Sequence, residues 1–318
     1  MRWMLSSVGV FALMCGGQVK AQSYPVKPIR LVVGFTPGGV ADAVARQLSR
    51  KLHEPLGQQI VVEYRGGAAG AIANEMVARQ PPDGYTLLII GSSAVALPAL
   101  RANMPYDLTR DFTAISLVAL TPFSLVVHPS VPVKSAKELI ALARSRPGKV
   151  SFSSVGVGST PHLMAGLFQT MTRTNVVHVP YKGGSESAVA LASGHVEMSF
   201  MSMPTMQPLK DRIRQLAVTT LKRAPFMPHI PTLDESGLQG YDASNFNGVV
   251  GPAGIPREIV TRLNGLMVKM ADAPDVKDAY FQLGMLPLSS TPEYFANYIR
   301  EDVAKTAKLI QQIGIKAE

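Results

Sequence analysis

"GFTPGGVADAVAR", residues Gly34 to Arg46, sets a Pro-Gly-Gly corner between two hydrophobic periods. Before it, Ile29 to Phe35 is an apolar run broken only by Arg30 and Gly34. After it, Val40, Val44, Leu48 and Leu52 recur every four residues, which is one face of a helix. A strand, a glycine corner and a helix in this order aim backbone N–H groups at an anion. The sequence poses three candidates for that anion: a nucleotide phosphate, an acyl intermediate or a carboxylate.

Outward from this unit the same alternation continues, which predicts an α/β protein with largely parallel strands buried on both faces. Strands are expected at 29–35, 60–63, 86–90, 115–120, 123–127, 150–153, 176–179, 196–201, 216–219 and 247–250. Helices are expected at 40–52, 70–78, 136–144, 161–171 and 186–193, and the C-terminal third is mainly helical. No low-complexity linker separates two halves, so any domain boundary is crossed by ordered chain. The natural crossings lie at Thr121-Pro122 and at 246–251, after a Pro-rich stretch. Residues 22–122 plus 247–318 then form one lobe and residues 123–246 the other. Crossing strands serve as the hinge, with a ligand cleft between the lobes.

The first 21 residues read as an export signal. Arg2 precedes a short apolar stretch from Leu5 to Met14, and Val19-Lys20-Ala21 offers a small-x-small cleavage site. Met14 before Cys15 disfavours lipidation, so cleavage is expected after Ala21. The remaining chain then has no cysteine, hence no disulfide, thiol nucleophile or thiolate metal site. Its formal charge falls from +9 to +7 and is scattered. No block of like charge and no basic, aromatic-rich ribbon suits nucleic acid.

Several turns could carry chemistry. Thr36-Pro37-Gly38-Gly39-Val40-Ala41-Asp42 has adjacent glycines, unlike G-x-G-x-x-G, and no P-loop Lys-Ser/Thr pair follows, so a nucleotide is disfavoured. Asp42 would repel an anion, and bracing the loop suits it better than touching the ligand. In the turn Gly156-Val157-Gly158-Ser159-Thr160-Pro161-His162, Pro161 suits a first helical position with Thr160 as N-cap. Ser159 beside His162 leaves a serine hydrolase as a rival, although no G-x-S-x-G elbow is present. Tyr181-Lys182-Gly183 follows another strand, and Ser92-Ser93 end a third at the sheet edge that binds ligands in open α/β folds. The six histidines show no metal spacing, and acids and bases are sparse in these turns. That inventory suits holding an anion rather than transforming it, with no cofactor.

The stretches "YPVKPIRLVVGFTPGGVADAVARQL", "GAAGAIANEMVARQPPDGYTLLI", "PYDLTRDF", "GVGSTPHLMAGLF", "HVPYKGG" and "GPAGIPREIVTRLN" together resemble the tripartite tricarboxylate transporter substrate-binding family, the Bug-type receptors. The resemblance runs from about Tyr24 to the C-terminus. It implies a periplasmic, two-lobed Venus-flytrap protein, expected as a monomer, that delivers a carboxylate, amino acid or small aromatic acid to a membrane permease. A sensory role on a histidine-kinase ectodomain is the alternative within the family. It places ligand contacts at Thr36 to Asp42, at Gly156 to His162 with Ser159 and Thr160 as hydroxyl donors, and at Tyr181 to Gly183.

Some positions depart from the family pattern. Gly34 and Thr36 stand where proline or phenylalanine is common, and Thr36 adds a hydroxyl. Met201-Ser202-Met203 stands where an Asp or Asn often recognises an amino group. Phe246 matches an aromatic that is frequently Trp or Tyr.

Overall fold

The computed structural model describes residues 24–101 and 103–315; the expected export signal and Cys15 lie outside them. The corner unit forms as read. Strand β1 (Ile29–Val33) leads into helix α1 (Val40–Leu56), whose Val40, Val44, Leu48 and Leu52 are all buried. Then follow β2 (Ile60–Tyr64), α2 (Ala71–Ala78), β3 (Thr86–Gly91) and α3 (Ser92–Leu100). β1 pairs in parallel with β2 on one side and β3 on the other.

The two runs expected at 115–120 and 123–127 are one strand, β4 (Phe112–Val127), which passes through Thr121-Pro122 without a break. Beyond it lie α4 (Ala136–Ser145), β5 (Val150–Ser154), α5 (Thr160–Thr172), β6 (Val176–Pro180) and α6 (Gly184–Ala192). β7 (Met198–Ser202), a single helical turn α7 (Met203–Met206) and β8 (Arg214–Val218) complete this half. β5 pairs in parallel with β6 and β7.

The return strand β9 (Ser244–Pro252) runs antiparallel to both β3 and β4. α8 (Arg257–Asp272), α9 (Pro274–Gln282), the short β10 (Leu286–Pro287) and α10 (Pro292–Ile313) end the chain.

β4 therefore belongs to both halves. Its residues from Phe112 to Pro122 pair with β9, and those from Phe123 to Val127 pair with β7 and β8. This is the two-lobed α/β fold of periplasmic binding proteins, with β4 and β9 as the strands shared between lobes. α10 reaches across: Ile310 packs with Ala96 and Leu100 of α3 and with Leu163 of α5. α3 itself shows no amphipathic period, because residues from Ser93 to Leu97 are all buried. Among the described residues no helix is long and apolar enough to cross a membrane.

Candidate ligand-binding site

The starts of α1, α3, α5, α6 and α7 converge on one cavity between the lobes, of about 710 Å³ with its open mouth included. α1 and α3 come from one lobe, α5, α6 and α7 from the other. In none of the five does the N-cap residue's own side chain cap the helix; these N-caps are Gly39, Gly91, Ser159, Gly183 and Ser202, although the first N–H of α3 (Ser92) is taken by Asn245 Oδ1 and that of α5 (Thr160) by Ser93 Oγ. Uncapped helix starts leave donors and the positive end of the backbone dipole directed at whatever occupies the space.

The middle of the wall is apolar, built from Phe35, Ile89, Ile90, Phe123, Phe200 and Met201. Among the described residues the wall holds no Lys, Arg or His, and Asp42 is its only charged member; it is occupied. Its Oδ2 accepts the Gly38 N–H at 2.8 Å, while Oδ1 accepts from Arg46 Nε at 2.8 Å and the Tyr64 hydroxyl at 2.6 Å. The carboxylate in turn raises the Arg46 guanidinium above its ordinary value, and burial followed by Asp42 pushes the Tyr64 phenol up. Gly38 has φ of +92°, a conformation that suits glycine, and so turns its N–H onto Asp42.

Two contacts tie the lobes at opposite parts of the cavity. In one, Ser185 Oγ donates to the Pro37 carbonyl at 2.8 Å, and Gly183 lies against Thr36. A Cβ at Gly183 would stand 2.9 Å from Thr36 Cβ and closer still to its hydroxyl. Thr36 Oγ1 is buried there without a protein partner, which leaves it for a ligand. In the other, the Thr160 N–H reaches Ser93 Oγ at 3.3 Å and Thr160 Oγ1 donates to Asn245 Oδ1 at 3.1 Å. Asn245 Nδ2 donates to Asn247 Oδ1 at 2.9 Å.

Of the residues expected from sequence, Thr36, Gly39, Ala41, Asp42, Ser93, Thr160 and Ser202 line the cavity together. Others lie behind or beside the wall. Pro37 and Gly38 are exposed on the outer side of the first corner. Ser92 faces away and its Oγ accepts from Phe246 N at 3.3 Å. Gly156 and Gly158 are packed against Ala69 and Leu100 of the opposite lobe. Tyr181 is tied by its backbone N–H to the Ser154 carbonyl, and the Lys182 side chain is exposed.

The N-cap of α5 is Ser159, one residue before the expected Thr160, so Thr160 supplies its N–H as the first helical residue. Ser159 is fully buried and its hydroxyl donates to the Gly156 carbonyl at 2.6 Å. His162 Nδ1 accepts the Gly158 N–H at 3.1 Å. Each group of the proposed hydrolase pair therefore braces the loop, and they do not bond to each other. Behind the loop, His162 stacks on His178 with ring centroids 4.0 Å apart, and His178 stacks in turn on Phe152. Burial pushes both histidines down to about 4, with the neighbouring His162 adding to the effect on His178.

Phe246 is buried in the core against Phe295 and Tyr298, on the face of β9 opposite the cavity. The strand alternation instead sends Asn245 and Asn247 into the wall, two residues the sequence reading passed over. Gly184, next to the expected Gly183, also lines the wall, and Ser187 and Thr205 are further wall residues not anticipated. Among the described residues no group of three His, Cys, Asp or Glu is arranged to hold a metal.

With this geometry in view, comparison with known proteins is direct. A family model described as tripartite tricarboxylate transporter family receptor matches residues 44–315. Protein BugT of Bordetella pertussis is 33% identical over 320 residues, covering 98% of this chain and 98% of BugT. Among solved structures, Rhodopseudomonas palustris Rpa4515 with adipate is 36% identical with a TM-score of 0.90, over 93% of this chain and 100% of that one. MatC from the same organism, with bound malate, is 27% identical with a TM-score of 0.85, over 90% of this chain and 100% of that one.

Proposed function

We infer the function from one premise: this chain belongs to the tripartite tricarboxylate transporter family of receptors. These are periplasmic solute-binding receptors rather than enzymes, and solved relatives hold adipate and malate. We propose that this protein is exported with cleavage near Ala21, captures a small carboxylate between its lobes and presents it to a membrane permease of the same transporter type. The lobes in this reading are residues 22–122 plus 247–318, and 123–246.

The observation that carries the reading is the convergence of uncapped helix starts from both lobes on a cavity without a cation. Each helix-end contact contributes about 0.3–1 kcal/mol, up to ~2 when partly buried, so micromolar binding takes several acting together. A ligand that contacts both lobes favours the form in which they meet, and closure is then a population shift. We propose the Ala41 N–H and the Thr36 hydroxyl among its donors.

The test is a thermal-shift screen of mono-, di- and tricarboxylates, including aliphatic, hydroxylated and aromatic acids, on the native protein and on Gly183→Ala. The native protein is expected to be stabilised by at least one acid. The added methyl meets Thr36 only where the lobes touch, so the variant should keep its ligand-free melting temperature and lose most of that response. No response to any acid in the screen contradicts the reading.

A further inference from the structure

The carboxylate and amide oxygens of the cavity wall are already engaged. Both oxygens of Asp42 are taken by Gly38, Arg46 and Tyr64. Asn245 Oδ1 accepts from the Ser92 N–H at 3.2 Å and from Thr160 Oγ1 at 3.1 Å. Asn247 Oδ1 accepts from Asn245 Nδ2. Ser202 Oγ and Thr205 Oγ1 bond each other at 2.9 Å, and Ser187 Oγ donates to Ser153 Oγ at 2.7 Å. Apart from the N–H groups of Ser92 and Thr160, the first-turn N–H groups have no side-chain partner, and the Thr36 hydroxyl has none either. Between the helix starts the wall is hydrocarbon.

We propose that this site selects organic acids whose body carries no ammonium group, and so discriminates against the α-amino acid of the same carbon skeleton. The inference rests on the carboxylate-receptor reading above and narrows it. An ammonium brings a full positive charge and three N–H donors. Here it meets helix starts of like sign and no free carboxylate or amide oxygen. Burying such a group without partners is costly, and freeing an acceptor for it means breaking the bonds that brace the first corner or join α5 to β9. A carboxylate needs only acceptor-to-donor contacts, which the wall supplies, and its hydrocarbon body matches the apolar middle. Asp42 adds no pull on an ammonium, because Arg46 pairs with it.

Matched pairs test this on the native protein without any substitution. Succinate is compared with aspartate, glutarate with glutamate, adipate with 2-aminoadipate, and 3-phenylpropanoate with phenylalanine, by isothermal titration at pH 7.5. The acid of at least one pair is expected to bind, with its amino partner at least tenfold weaker. An amino acid that binds as tightly as its parent acid, or more tightly, overturns the inference and leaves the carboxylate receptor standing. If none of the eight compounds binds, the inference fails, and the thermal-shift screen decides separately whether the carboxylate-receptor reading stands.

Discussion

Helices α4 and α10 begin away from the cavity, and each is capped by its own sequence. Ser135 Oγ accepts the Glu138 N–H at 3.2 Å, and Thr291 Oγ1 accepts the Tyr294 N–H at 3.1 Å. α1 and α6 begin at the cavity with Gly39 and Gly183, which have no side chain to offer, and α5 begins with Ser159, whose hydroxyl is turned to a loop carbonyl. The backbone requirement is the same in both places. At α4 and α10 the N-cap side chain satisfies it, whereas α2, α8 and α9, also away from the cavity, have no capping side chain. At α1 and α6 the start faces the cleft and no side chain takes its donors.

Giving a cleft helix the cap of a remote one should break the contrast most severely. Gly39 has extended backbone, with φ of −101° and ψ of −174°, and a Cβ placed there meets nothing within 4 Å. Gly39→Asp should therefore fold normally, with a stability gain of roughly a few tenths of a kcal/mol. Its affinity for the native protein's best carboxylate should fall about hundredfold, because a helix-end contact worth up to ~2 kcal/mol is replaced by like-charge repulsion. Titration calorimetry alongside urea denaturation reads both quantities.

The converse change sharpens the comparison. Ser135→Ala removes a cap far from the cavity and should cost about 0.5–2 kcal/mol of stability with no change in ligand affinity. Denaturation midpoints at constant slope give the first quantity, and the same titration gives the second.

A smaller and pH-dependent effect separates the two cleft corners. The corner ahead of α1 is braced by a carboxylate, whereas the loop ahead of α5 is braced by neutral His162 and backed by His178. Both histidines are held at about 4 in the folded protein against an ordinary 6.5. Between those values the unfolded chain binds protons that the native state does not, so stability falls with falling pH. Their contribution is complete above about 6.5 and is lost progressively as pH drops towards 4. His178→Phe should shallow that slope in melting temperature measured from pH 7 to pH 4.5. An unchanged slope would place its origin elsewhere.

The glycine corners were legible because backbone geometry leaves few alternatives to glycine, and the hydrophobic period placed α1 to within its last turn. α3 was not legible: a helix buried on nearly every side has no period to read. The break expected between two strands of β4 came from reading Thr121-Pro122 as punctuation. Pro122 is instead accommodated within the strand, opposite Ser244 at the end of the pairing with β9.

At the site, the losses came from parity. Phe246 drew the eye as an aromatic, yet Asn245 and Asn247 on either side face the cavity, since a single residue step reverses the face of a strand. The same one-residue margin separates Ser92 from Ser93 and Ser159 from Thr160. Composition and motif place a loop at the cleft; only three-dimensional pairing decides which of two adjacent side chains enters it.

The placement of β9 also orders the assembly of the molecule in time. β9 lies between β3 and β4, so the sheet of the first lobe has a gap until residues 244–252 arrive. Everything from β5 to β8 lies between β4 and that strand in the chain, and pairs locally or with the end of β4. For a chain emerging N-terminus first, the inserted lobe can be complete while its host still waits for a central strand. Folding that lobe shortens the loop that β9 must close, from more than a hundred flexible residues to the distance between two fixed ends. The lobe written second is thereby placed to fold first, and to hand its partner the missing strand.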